Sequence, residues 1–449
     1  MKSLVVIPVG LLLLLAVGNL SAQRPDIQYP PGQHFSSNMH VAFHVPLVAE
    51  SDIRIEQELS RPYVFQPHGR PAGYHILDIK DPAKAHVIYS WEIEEPTLHQ
   101  GGASGIMLFK HQGRYYAIES YQFRQGGPDN DLVAIVFDVT GLPDTSKVKE
   151  VARIRDKVNP GGSHESFTYK HSDGRAIFFT TVANNALQAN MYDLGKLLDG
   201  DPNQGLIGAV PKPSDMPVNR FGGYHDMYVA YDPATHQDKF YGPGFTGYVI
   251  YDVTKPEEAK LLASFTGVSG VDVAHTFMAD PTGRYVIGES EAQYQPIRIF
   301  DAKPALDGTV RNIARPIGAW SPSWRNLVHQ FEIRWPYVFA AAYADGLHVF
   351  NMMDPTNPHT VAFYDVYDKP TLDMGNPAGR DANSVMTGTF GVDIRNADGL
   401  IVISDMRTGT WGFRMDGFNG WNGHQWGVPN ISSAQDWDNG PEGAPQKVS

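Results

Sequence analysis

The sequence predicts an all-β chain, a seven-bladed β-propeller of four-stranded antiparallel blades closed by an N-terminal strand, and three observations carry that expectation. The first is the stretch from His329 to Asp365, HQFEIRWPYVFAAAYADGLHVFNMMDPTNPHTVAFYD. It reads as four short strand-like runs broken by Trp335-Pro336, Ala344-Asp345-Gly346 and Asp354-Pro355-Thr356-Asn357-Pro358, which is one antiparallel meander. The second is recurrence: GYHILDI at Gly73–Ile79, VAIVFDV at Val133–Val139, GYVIYDV at Gly247–Val253 and IRIFD at Ile297–Asp301. In each an Asp ends a strand and a Pro or Gly turn follows, where the carboxylate can accept from backbone N–H groups of the turn. The third is an imbalance at the ends, because Met39–Val48 has strand character without a local partner, whereas the last unit has only three strands of its own. A sheet of four short strands cannot bury both faces alone, and a ring of such sheets can.

Taken in order, blade 1 is expected over 52–94, blade 2 over 104–154 with an inserted loop at 124–131, and blade 3 over 164–210. The third strand of blade 3, near 188–194, is weak and precedes a Gly/Asp/Pro loop. Blade 4 spans 225–265, blade 5 spans 275–317 and blade 6 spans 329–365, followed by a Pro/Gly/Asp-rich insertion at 367–388. Blade 7 has runs at 390–395, 400–406 and 410–416, and Met39–Val48 supplies its fourth strand, which removes an open edge. The domain reading is therefore a signal peptide at 1–22, an N-terminal arm at 23–38, a propeller at 39–416 and an irregular tail at 417–449.

Composition narrows the function. Lys and Arg total 36 against 49 acids among 449 residues, a net charge of −13, which argues against nucleic acid or an anionic membrane as partner. Met1–Ala22 combines Lys2, an apolar run over 4–17 and a small-residue end, the pattern of a secretory signal. The expected location is thus secreted, periplasmic or at the cell surface, with no transmembrane span in the mature chain. The absence of cysteine excludes disulfides, thiolate metal ligands and thiol nucleophiles. No G-x-S-x-G, Walker or H-E-x-x-H pattern stands out.

The unit of His, strand, short turn, aromatic-rich strand and G-[LY]-x-[VI]-[FY]-[DN]-[VM] before D-P or K-P resembles the LVIVD-repeat β-propeller proteins. It is clearest at 225–265, at 329–365 and in LIVISDMRTGTWGFR from Leu400 to Arg414. The resemblance covers most of 52–416 and implies a propeller in an exported bacterial protein. It implies little about chemistry, the family being mostly undefined in function.

Chemistry is suggested by four histidines. His164, His225, His275 and His329 open the first strands of blades 3 to 6, with spacings of 61 (225 − 164), 50 (275 − 225) and 54 (329 − 275) residues. Ser104 and Phe390 take that place in blades 2 and 7. One position repeated on adjacent inner strands traces an arc, so the four imidazoles are expected at one mouth of the central channel, facing its axis. Glu289 and Glu119, near the ends of second strands, are expected on the same rim as partners that would orient a ligating imidazole. Two readings follow. In one, the chain is a binding or interaction module for a protein or small-molecule ligand, with a His-lined pocket whose rings bond neighbouring backbone. In the other it is an oxidoreductase holding Fe or Cu, and Zn also suits imidazole. The four-His ring is similar to the iron site of carotenoid-cleavage oxygenases and to the His sites of copper oxidases resembling selenium-binding protein, an analogy of fold and ligand alone.

Overall fold

The computed structural model describes residues 34–47, 51–69, 71–95, 102–122, 129–182, 187–217, 223–323, 327–366, 386–426 and 433–439. The expected signal segment, most of the inserts at 124–131 and 367–388, and much of the tail lie outside them. Within them the chain forms seven four-stranded antiparallel sheets. Blades 1 to 6 each run in chain order from the first strand to the fourth. Blade 7 is built from Thr389–Arg395, Leu400–Asp405 and Gly409–Met415, and Met39–Val45 adds as its outermost strand. There Met39 pairs with Met415 and Val45 with Thr410, which closes the ring as the strand count required.

The repeated aspartate does the local work expected of it. Asp78, Asp138, Asp252 and Asp301 each accept from the backbone N–H two residues on, at 2.8, 3.0, 3.0 and 3.1 Å. Asn351 does the same in blade 6 at 2.8 Å, and Asp193 caps a short helix in blade 3 by accepting from Lys196 N–H at 3.1 Å. Six blades thus turn from third to fourth strand on one side-chain device.

Two details differ from the sequence reading. The Gly/Asp/Pro segment of blade 3 opens with a short helix, Leu194–Leu198, because Asp193 is an effective N-cap. The fourth strand of blade 5 is Gly318–Trp320, just past the expected boundary, after a second short helix at Lys303–Leu306. No described helix is long and apolar enough to cross a membrane.

The core lies between blades, where aromatic rings of one sheet meet those of the next. Tyr74 meets Phe137 edge-on at 4.9 Å between blades 1 and 2, Tyr248 stacks on Phe277 at 4.8 Å between blades 4 and 5, and Trp320 stacks on Phe350 at 4.3 Å between blades 5 and 6. The first strands of neighbouring blades touch one another around the axis, so their side chains decide what the channel is.

Candidate ligand site at the histidine mouth

The four histidines stand side by side. Ring centroids are 4.4 Å apart for His164 and His225, 4.3 Å for His225 and His275, and 4.5 Å for His275 and His329. Phe390 of blade 7 extends the row, stacked on His329 at 3.6 Å. His164 and His275, from blades 3 and 5, are near enough that a charge on His164 would lower the pKa of His275. Local backbone places the third imidazole: the first strand of blade 5 is irregular between Ala274 and Phe277, a bulge that re-aims the side chain within it. Blades 2 and 7 carry the same irregularity at 103–105 and 389–391.

The arc divides into engaged and open members. At its ends, His329 Nδ1 lies 2.9 Å from the Phe390 carbonyl and His164 Nδ1 lies 3.2 Å from the Gln122 side-chain oxygen. Those are packing contacts of the kind a repeat would reuse. In the centre, His275 is fully buried, with Nδ1 2.9 Å from Thr276 Oγ1 and 3.2 Å from Glu289 Oε2. Thr276 Oγ1 has its own acceptors in Asp226 Oδ2 at 3.2 Å and the His329 carbonyl at 3.3 Å. The hydroxyl therefore donates to one of them and accepts from His275 Nδ1–H, which leaves the lone pair on Nε2. That Nε2 has no hydrogen-bond partner, and neither has His225 Nδ1. A buried polar atom left unpaired costs about 1–3 kcal/mol and calls for an explanation.

A carboxylate completes the group. His225 Nε2 is 3.8 Å from Glu291 Oε2, and His225, His275 and Glu291 offer one ligand atom each, all within 4.8 Å of one another. Ligand atoms about 2.1 Å from a tetrahedral ion are separated by about 3.4 Å, so the set needs only small side-chain adjustments to grip one. Burial, reinforced by the neighbouring imidazoles, holds His225 and His275 well below the ordinary histidine pKa, keeping both neutral and able to ligate. Glu289 is pushed well above the usual carboxylate range by burial, then by Glu291 and Asp226.

Of the two expected partner carboxylates, Glu289 lies beside His275 and Glu119 lies elsewhere. In blade 5 Phe277 pairs with Gly288, and the matching pair in blade 2 is Ile106 with Glu119. Glu119 is therefore the counterpart of Gly288, one step from Glu289, and a one-residue step turns a side chain to the opposite face. It is buried beside Tyr121, whose hydroxyl donates to it, and burial pushes its pKa up to about 8.

Below the histidines runs a feature that the sequence reading passed over. The residues after His164 and His225 are Glu165 and Asp226, and blade 1 places Asp52 at the same level, all buried. Gly105 and Gly391 flank Asp52 from blades 2 and 7. A Cβ on Gly105 would stand 3.1 Å from Glu165 Oε2 and 3.5 Å from Asp52 Oδ2, and one on Gly391 would stand 3.0 Å from Asp52 Oδ1. One level further along, Arg54 bonds Asp52 Oδ1 at 2.8 Å, with Glu332 and Asp393 on neighbouring strands. Arg334 then pairs with Glu332 at 3.1 Å. The signal was present in the sequence as charged residues at two-residue spacing inside otherwise apolar inner strands.

The far mouth is covered by the tail. Ser433 Oγ donates to Asp393 Oδ1 at 2.5 Å and its N–H donates to Glu332 at 3.2 Å. Lys170 N–H donates to Gln435 at 3.2 Å, and Lys110 bonds Asp438 at 2.7 Å. These contacts carry the tail from blades 6 and 7 to blades 2 and 3. Beneath it is a cavity of about 350 Å³ between blades 1, 2 and 7, walled by Tyr115, Trp421 and Trp437.

No family model and no curated protein matches the sequence. Among solved structures the chain is similar to the crystal structure of Raptor from Chaetomium thermophilum, with a TM-score of 0.57 and 10% identity over 86% of this chain and 30% of that one. This chain spans less than a third of that protein's length, and at such identity the likeness is one of fold alone: a β-propeller.

Proposed function

We propose that this protein is a binding propeller that holds a divalent transition-metal ion at its histidine mouth, with His225, His275 and Glu291 as ligands. His164 and His329 flank the ion, and Glu289 orients His275. The observation that carries this reading is His275, buried, with Nδ1 engaged by Thr276 and Nε2 without a hydrogen-bond partner, in a group with His225 and Glu291 whose ligand atoms lie within 4.8 Å of one another. Imidazole and carboxylate together suit Zn, Fe or Cu rather than Mg or Ca. A second reading, an oxidoreductase using Fe or Cu here, is favoured by the count of three protein ligands, which leaves a position open to water or substrate as in catalytic sites.

Elemental analysis of protein purified without chelators, beside the His225→Ala/His275→Ala double variant, tests the reading. One ion per chain in the parent and none in the variant is the expected result. A parent that neither retains nor takes up a transition metal means that the arc is packing and the mouth binds something else.

A further inference from the structure

The carboxylate of the proposed ligand set is held by a residue with an unusual backbone. Tyr343, just past the second strand of blade 6, has φ +41°, the left-handed region that is costly for an aromatic residue. Two hydrogen bonds fix it there: its N–H donates to the Thr389 carbonyl and Thr389 N–H donates to its carbonyl, both at 2.9 Å. Gly388 makes that approach possible, since a Cβ on it would fall 2.3 Å from the Tyr343 carbonyl oxygen. From this clamped position the buried side chain crosses to blade 5, where the hydroxyl donates to Glu291 Oε1 at 2.5 Å. The other oxygen, Oε2, faces His225 of blade 4. The ring stands edge-on to His329 at 5.3 Å.

We infer that Tyr343 is a positioning residue for the metal site: by occupying Glu291 Oε1 it fixes Oε2 toward His225 and His275 as a single-oxygen ligand. This rests on the metal reading above. A partly exposed glutamate after a strand end has several rotamers, and a buried phenol selects one of them. The backbone clamp gives the reason for the strain, because it sets the point from which the hydroxyl reaches Glu291. If Tyr343 served only to fill the mouth, its ring would suffice without the hydroxyl.

The test titrates Zn²⁺, and separately Co²⁺, into the full-length parent, Tyr343→Phe, Glu291→Ala and the double variant. Tyr343→Phe keeps the ring and the backbone, so its melting temperature without metal is expected to match the parent. Its affinity is expected to fall about 10- to 100-fold, as when ligand-orienting partners are lost, and the visible spectrum of the Co²⁺ form to change. In the Glu291→Ala background the same substitution is expected to add nothing, since it acts through Glu291. Parental affinity and Co²⁺ spectrum in Tyr343→Phe would overturn the inference while leaving the metal reading intact. So would an equal loss in both backgrounds. A parent that binds neither ion would remove the metal reading and this role with it.

Discussion

The two mouths of the channel treat buried polar groups in opposite ways. At the tail-covered mouth the charges are tied: Arg334 to Glu332, Lys110 to Asp438, and Asp393 to Ser433 and the N–H of Ile55. At the histidine mouth two ring nitrogens in the centre of the arc, His225 Nδ1 and His275 Nε2, are left unpaired. Both mouths are built from the same seven first strands, so the fold does not impose the difference. It comes from which residue each blade puts at an equivalent position: His in blades 3 to 6, Phe390 in blade 7 and Ser51 in blade 1. A region whose groups are paired reads as structure, and one left open at a cost reads as a place for a ligand.

Three variants sharpen that contrast. The largest effect is expected from Arg54→Ala, which strips the cation from a level crowded by Asp52, Glu332 and Asp393. Breaking a buried pair by removing one partner costs about 3–5 kcal/mol, and denaturant unfolding reads it. A loss below about 1 kcal/mol would mean that this end is less tightly organised than its contacts imply.

The next effect is a dependence on pH. Glu332 is pushed up to about 7, chiefly by burial, from an ordinary value of 4.5. The folded state therefore holds a proton that the unfolded chain has released. Stability is full below about pH 4.5 and falls as the pH rises through 7, by on the order of 3 kcal/mol for this group. Glu332→Gln is expected to flatten that fall, and an unchanged slope between pH 5 and 8 would assign it to other groups.

The smallest effect is expected at the open mouth. Metal-free His225→Ala/His275→Ala loses packing but also removes two unpaired nitrogens, so its net cost in denaturant should stay within about 2 kcal/mol. A loss matching that of Arg54→Ala would show that these rings serve the fold first, and would turn the comparison around.

How much of this was legible follows from what repeats. The Asp or Asn at the end of a third strand is a local device that recurs, so five of the six turns and the closure could be read from one unit and its copies. The histidines repeat too, which placed them together. Glu119 was misjudged as a neighbour of the arc because bulges in first strands shift the pairing, and strand register is invisible without the partner strand. Glu291 was visible as a strand-end acid, but nothing local marked it above Glu289. Tyr343 left no mark at all, since its role depends on Thr389 in the following blade and Glu291 in the preceding one. The axial acids were overlooked because each is a single charge in its own strand and becomes a cluster only when seven strands converge.

The closing strand also sets an order of events in time. Met39–Val45 is made before the other described strands but finds its partner only when Gly409–Met415 has been made. At 5–20 residues per second the 363 residues between the two strands (46–408) take about 20–70 s to appear. Throughout that interval Met39, Phe43 and Val45, which end up buried, wait with their backbone unpaired. Six blades can meanwhile stack on one another as neighbours, but the seventh is completed by a strand made before any of theirs. A nascent or truncated chain is thus an open arc with a sticky end, and the last step of folding is a long-range search rather than a local one.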